Sequence, residues 1–185
     1  TNCSFIDNKA IDGGGGGAYI NGRESVLENC SFSNNTAALW GGAIIFDIGL
    51  VTVINSTFIE NHAESGGAIM VFGSSAILIN SSFYGNMAEY GSVISGIGYT
   101  PGADLTIKNS IFWANGTDPS KYFAFGADAG KVSIENSIFT IFCWLFSLKT
   151  TILIGSEAKK KALLEGDNQL ITGGVAAFST FIGIV

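Results

Sequence analysis

Charged residues are scarce in this chain, at 13% of 185, where about 25% is ordinary for a globular domain. There is one His (His62), one Arg (Arg23), two Pro and three Cys. Each scarcity excludes something. Nine basic residues, scattered except for Lys159, Lys160 and Lys161, against a net charge of -6, leave nothing to neutralise a phosphate backbone, so nucleic acid is not a partner. One His with no second at ligand spacing argues against a His-based metal or general-base centre, and His62 is read as an exposed turn residue. Gly13 to Gly17 lacks the following Lys-Ser or Lys-Thr of a phosphate loop and reads as a lengthened turn. The hydrophobic content of 47% excludes disorder.

What is abundant is Gly (25 residues), together with Asn, Ser, Ile, Val and Phe, a composition of short strands and tight turns. It also repeats. Asn-Cys-Ser-Phe at 2–5 and 29–32, Asn-Ser-Thr-Phe at 55–58, Asn-Ser-Ser-Phe at 80–83 and Asn-Ser-Ile-Phe at 109–112 and 136–139 place Phe at spacings of 27, 26, 25, 29 and 27. A further Asn stands three residues after the first five of these Phe. Interleaved are Gly16-Gly17-Ala18-Tyr19, Gly41-Gly42-Ala43-Ile44, Gly66-Gly67-Ala68-Ile69 and the decayed Gly91-Ser92-Val93-Ile94. A β-branched stretch precedes each repeat Asn from Asn29 onward. Counting back from that Asn, the second and fourth positions are mostly apolar and face inward, whereas Glu28, Ile54, Ile79, Lys108 and Glu135 form an outward column.

A period near 26 with several short strands and no helix-period segment predicts an all-β, single-stranded parallel β-helix, a solenoid of six or more coils over residues 1–139. Equivalent residues then stack. Phe5, Phe32, Phe58, Phe83, Phe112 and Phe139 are expected as an inner aromatic ladder, with Asn29, Asn55, Asn80, Asn109 and Asn136 paired at the turns beside it.

The Phe-x-x-Asn and Gly-Gly-Ala-Ile repeats resemble the paired repeats of the chlamydial polymorphic outer membrane proteins and of similar adhesin-like proteins of archaea and protists. The resemblance covers residues 1–139. It implies a right-handed coil, display at the cell surface or outside the cell, and adhesion; it lends no catalytic residue, metal or cofactor.

The remaining expectations concern chemistry and surface. Asp7, Asp12, Asp47, Asp104, Asp118 and Asp128 are dispersed and suit turns. The favoured function is therefore a non-enzymatic extracellular or surface-displayed module for adhesion or structural assembly, its partner a cell-surface protein or glycan, or a neighbouring subunit. One alternative is a carbohydrate-active enzyme on the same coil, requiring two or three carboxylates within about 10 Å on one face; another is a scaffold subunit of a filament or membrane complex. Ile54, Ile77 and Ile79 form a candidate interface, continued after Gly-Gly-Ala by Tyr19, Ile44, Ile69 and Ile94, or covered by a loop of the chain itself. Cys3 and Cys30 stand one repeat apart, where stacking allows either a disulfide or two small buried thiols. Of six Asn-x-Ser/Thr acceptor sequences, Asn34 and Asn115 fall off the ladder position and are the glycosylation candidates.

Residues 140–185 diverge. The apolar run from Ile138 to Ile154, followed by the lysines, reads either as further coils and a cap or as a membrane-associated segment, with a short helix expected at 157–165. The chain, starting at Thr1, is read as a piece of a longer one.

Overall fold

The computed structural model describes residues 1–97, 104–116, 123–125, 132–143 and 148–154. The chain winds as a parallel β-solenoid. One flat sheet carries the Phe motif, with strands β1 (Ser4–Ile6), β5 (Ser31–Ser33), β8 (Thr57–Ile59), β10 (Ser82–Tyr84), β13 (Ile111–Trp113) and β16 (Ser137–Cys143) stacked in that order. Phe5, Phe32, Phe58, Phe83 and Phe112 are aligned residue for residue. Their rings stack with centroids 4.7, 5.1, 4.9 and 4.8 Å apart and planes within 5° of parallel. Phe139 continues the backbone register opposite Phe112. Removing one enclosed ring costs about 3–5 kcal/mol.

The second large sheet contains the strands around the Gly motif and the β-branched stretches: β3 (Ala18–Asn21) and β4 (Glu24–Glu28) in the first coil, β7 (Ile44–Ile54) in the second, β9 (Ile69–Ile79) in the third, β11 (Ile94–Ile97) and β12 (Leu105–Lys108) in the fourth, β14 (Phe123–Phe125) and β15 (Val132–Glu135) in the fifth. β7 and β9 run unbroken for eleven residues, so they join the two halves of this face. A narrow third side is formed by β2 (Lys9–Ala10) and β6 (Thr36–Ala37), extended by single bridges from Thr36 to His62 and from His62 to Met87.

Of the predicted inward positions, Leu27, Val51, Val53, Ala76, Leu78, Leu105 and Ile107 are buried in one core with the Phe rings, Ile134 is partly buried against it, and Ser25 is half-buried. Alternation of strand side chains and stacking at one coil per period are sufficient causes.

Two expectations are corrected here. The described chain makes about four complete turns instead of six or more. The fifth coil contributes only β13 to β15 among the described residues, and β16 is followed by β17 (Leu148–Ile154), which pairs with it antiparallel and occupies the sheet edge that another parallel coil would need. The Gly motif is also shifted by one in the first coil, because Ala18 pairs with Ile44, and Gly15, at φ +69, takes the place of Gly41, at φ +59. Ile44, Ile69 and Ile94 consequently face the core and are fully buried, and they do not continue the outward stripe. The helix expected at 157–165 and the rest of 155–185 lie outside the described residues. Among the described residues no helix is long and apolar enough to cross a membrane.

Candidate functional site

Each coil turns from the β4-side face into the Phe face through an Asn at positive φ. Asn2, Asn29, Asn55, Asn80, Asn109 and Asn136 lie between +48° and +54°, a region that Asn tolerates better than other non-Gly residues. Their amides form an outer ladder, with Asn29 Nδ2 donating to Asn2 Oδ1 at 3.2 Å, Asn80 to Asn55 at 3.3 Å and Asn109 to Asn80 at 3.2 Å. These asparagines are exposed, so their expected place beside the aromatic core is corrected to a solvent-facing corner.

The buried ladder consists of the other Asn in each repeat. Asn35, Asn61, Asn86 and Asn115 are fully enclosed. Asn61 Oδ1 accepts the Asn35 backbone N–H and side-chain amide, both at 3.0 Å, and Asn61 Nδ2 donates to Asn86 Oδ1 at 2.9 Å and to the Phe32 carbonyl at 3.1 Å. Asn115 accepts from Asn86 at 2.8 Å and donates to the Phe83 carbonyl at 3.0 Å. That enclosure removes Asn115 as a glycosylation candidate. Asn34, at φ +54, is exposed.

Cys3 and Cys30 are free thiols, which corrects the disulfide alternative; Cys30 is buried as the thiol alternative expects, whereas Cys3 is exposed. The reason lies in their column, whose later members are Ser56, Ser81, Ser110 and Ser137. Each serine hydroxyl donates to the carbonyl two residues back and receives a backbone N–H from the preceding coil, for example Ser56 Oγ to the Ile54 carbonyl at 2.8 Å and Cys30 N–H to Ser56 Oγ at 3.1 Å. Cys30 Sγ and Cys3 Sγ make the same backward contact, to the Glu28 and Thr1 carbonyls at 3.3 and 3.2 Å. The thiols stand in for hydroxyls.

Outside the core, the β4–β7–β9–β12–β15 face aligns two outward columns. One runs Val26, Thr52, Ile77, Thr106, Ser133 and the other Glu28, Ile54, Ile79, Lys108, Glu135. Val26 is 60% exposed; Ile54, Ile77 and Ile79 are half-buried, each flanked by its neighbours on adjacent coils. The apolar stripe is bounded at one end by Glu28 and at the other by Lys108, whose Nζ lies 3.3 Å from Glu135 Oε2. Of the expected candidate interface, Ile54, Ile77 and Ile79 lie together on this face, and the structure adds Val26, which sequence reasoning had not included.

His62 is exposed on the narrow side, as expected of a turn residue. Among the described residues no three His, Cys, Asp or Glu side chains converge as a metal site. Tyr90, nearby in the fourth coil, has its phenol held above the ordinary tyrosine range by a hydrogen bond to Glu89, with the charges of Glu89 and Glu64 adding. Sequence reasoning missed the inner Asn and Ser columns because both lie beyond a positive-φ corner, where counting by alternation from the preceding strand no longer holds.

The family model described as right handed beta helix region matches residues 1–156. No curated protein and no solved structure matches the chain.

Proposed function

The chain belongs to the right-handed β-helix family, and from that premise we propose that it is a non-enzymatic module, displayed at the cell surface or outside the cell, that docks a partner on its long sheet face. The observation that carries this reading is the registered stripe of Val26, Ile54, Ile77 and Ile79 on three adjacent coils of one face. Charge lies only at its ends. A stripe of this kind gives a partner uncharged area with charged margins to fix its position. The resemblance of the repeats to adhesin-like proteins supports the same reading, and adhesion or structural assembly is the corresponding role.

The test is static light scattering on the purified chain beside the double variant Ile54→Lys, Ile79→Lys. Both side chains point outward, so circular dichroism and the melting curve should be preserved. Association of the wild type that the variant abolishes would establish structural assembly through the stripe. Two monomers, with loss in the variant of adherence to a surface that retains the wild type, would establish adhesion. If both variant and wild type behave identically in both measurements, the stripe is not the docking face.

A further inference from the structure

The opposite half of the same sheet carries a different cluster, where the coil passes from the Gly corner towards the bend between β3 and β4. Asp47 lies on an outward rung between Asn21 of the preceding coil and Phe72 of the following one. Its Oδ2 accepts from the Tyr19 hydroxyl and from Asn21 Nδ2, the latter at 3.0 Å. Its Oδ1 accepts nothing among the described residues, and no cation pairs with it there. Beside it, the Trp40 ring meets the Phe72 ring edge-on, centroids 5.6 Å apart and planes at 90°. Tyr19 is 57% exposed and Trp40 39%.

The next residue is strained. Ile48 has φ +63, a region that a β-branched side chain seldom enters, and it is 60% exposed. The corresponding place in the next coil is occupied by Gly73, at φ +55. Folding alone would favour Gly at this bend, since Gly bears no steric penalty there. The isoleucine instead holds an apolar side chain in solvent beside Asp47.

From these residues we infer that Tyr19, Asn21, Trp40, Asp47, Ile48 and Phe72 form a binding subsite for a neutral saccharide. A sugar ring offers C–H faces to aromatic and aliphatic side chains and a rim of hydroxyl donors. Asp47 Oδ1 and Asn21 Oδ1 are the acceptors left for such donors, and hydrogen bonds to an ionised acceptor are the stronger kind. A carboxylate with no cation beside it repels an acidic ligand and favours a neutral one. The hydrogen bond to Asp47, with burial and the carboxylate charge adding, holds the Tyr19 phenol above the ordinary tyrosine range, so Tyr19 remains a donor and keeps Asp47 oriented. The cluster lies away from the Ile54–Ile79 stripe, so this inference and the proposed docking face fail or stand separately.

The test is calorimetric titration of the folded chain with cellohexaose, maltohexaose and mannohexaose, and with tetramethylammonium chloride. Saturable binding of at least one hexaose is expected, weakened roughly tenfold or more by Trp40→Ala and by the isosteric Asp47→Asn. Ile48→Gly should raise the melting temperature while weakening binding, a combination that a purely structural residue would not give. An ultraviolet titration of Asp47→Asn should show the Tyr19 phenol ionising at lower pH than in wild type, with Tyr90 unchanged, which verifies that the cluster exists in solution. Failure of all three sugars to bind overturns the inference. So does hexaose binding that ignores both substitutions, and so does saturable binding of tetramethylammonium alone, which would make the cluster an aromatic cation site.

Discussion

The two asparagines of a repeat stand six residues apart, as at 55 and 61, and their substitution should have unequal consequences. Replacing Asn61 by Ala removes the acceptor of the Asn35 N–H and of one Asn35 side-chain N–H, both in the interior, at about 1–3 kcal/mol for each group left unpaired. Replacing Asn80 by Gly leaves an exposed corner at φ +51 that Gly adopts freely, and the loss should be about 1 kcal/mol or less, for two exposed hydrogen bonds, to Asn55 and from Asn109. Urea midpoints of the two variants check this; comparable midpoints would remove the distinction between the ladders. In the sequence both asparagines repeat with equal regularity, and the core role was expected of the first. The backbone decides otherwise, because a residue at positive φ turns its side chain away from the coil interior while the one that follows the strand is directed into it.

At the scale of the turn, the paired glycines have separate reasons. Gly41, Gly66 and Gly91 occupy positive φ, while a Cβ on Gly42 would sit on the Gly67 carbonyl and on the His62 backbone of the next coil. Backbone cannot rotate aside. Gly42→Ala should therefore lower stability by about 1–3 kcal/mol or more, whereas Gly13→Ala, with nothing near its added carbon, should change it by less than about 0.5 kcal/mol. Thermal melts of the two variants provide the measurement, and equal melts would show that the coils are not in contact at this corner. The tract Gly13 to Gly17 concealed the register in the sequence: five consecutive glycines match the motif at several offsets, and only the pairing of Ala18 with Ile44 selects one. The β-branched strands had no such ambiguity, and their inward positions were legible from alternation alone.

For the molecule as a whole, each coil touches only the coils before and after it, so stability is a sum over coils and their interfaces. That is why a period near 26 was enough to give the fold class. It was not enough to locate the saccharide subsite. Asn21, Asp47 and Phe72 share one column but no chemistry, Trp40 comes from a different turn, and Ile48 is conspicuous only through a dihedral angle. No repeat motif includes them. The coil count failed for a related reason, since the sixth Phe motif is intact in sequence while β17 turns back antiparallel beside it.

The same stacking has a mechanical meaning. Every ladder of hydrogen bonds, such as Ser31 N–H to the Cys3 carbonyl and Thr57 N–H to the Cys30 carbonyl, runs along the solenoid axis, so a tether pulled along that axis loads the interfaces between coils in series. All bear the same force, and the weakest yields first. A coil of about 26 residues that peels away and straightens at roughly 3.3–3.6 Å per residue lengthens the tether by about 90 Å, less one rung of about 4.8 Å. Single-molecule extension should show a sawtooth with that step, repeated once per coil; a single rupture of several times that length would mean that the coils part together. A tether built this way would act as an extensible spring whose extension is counted in turns.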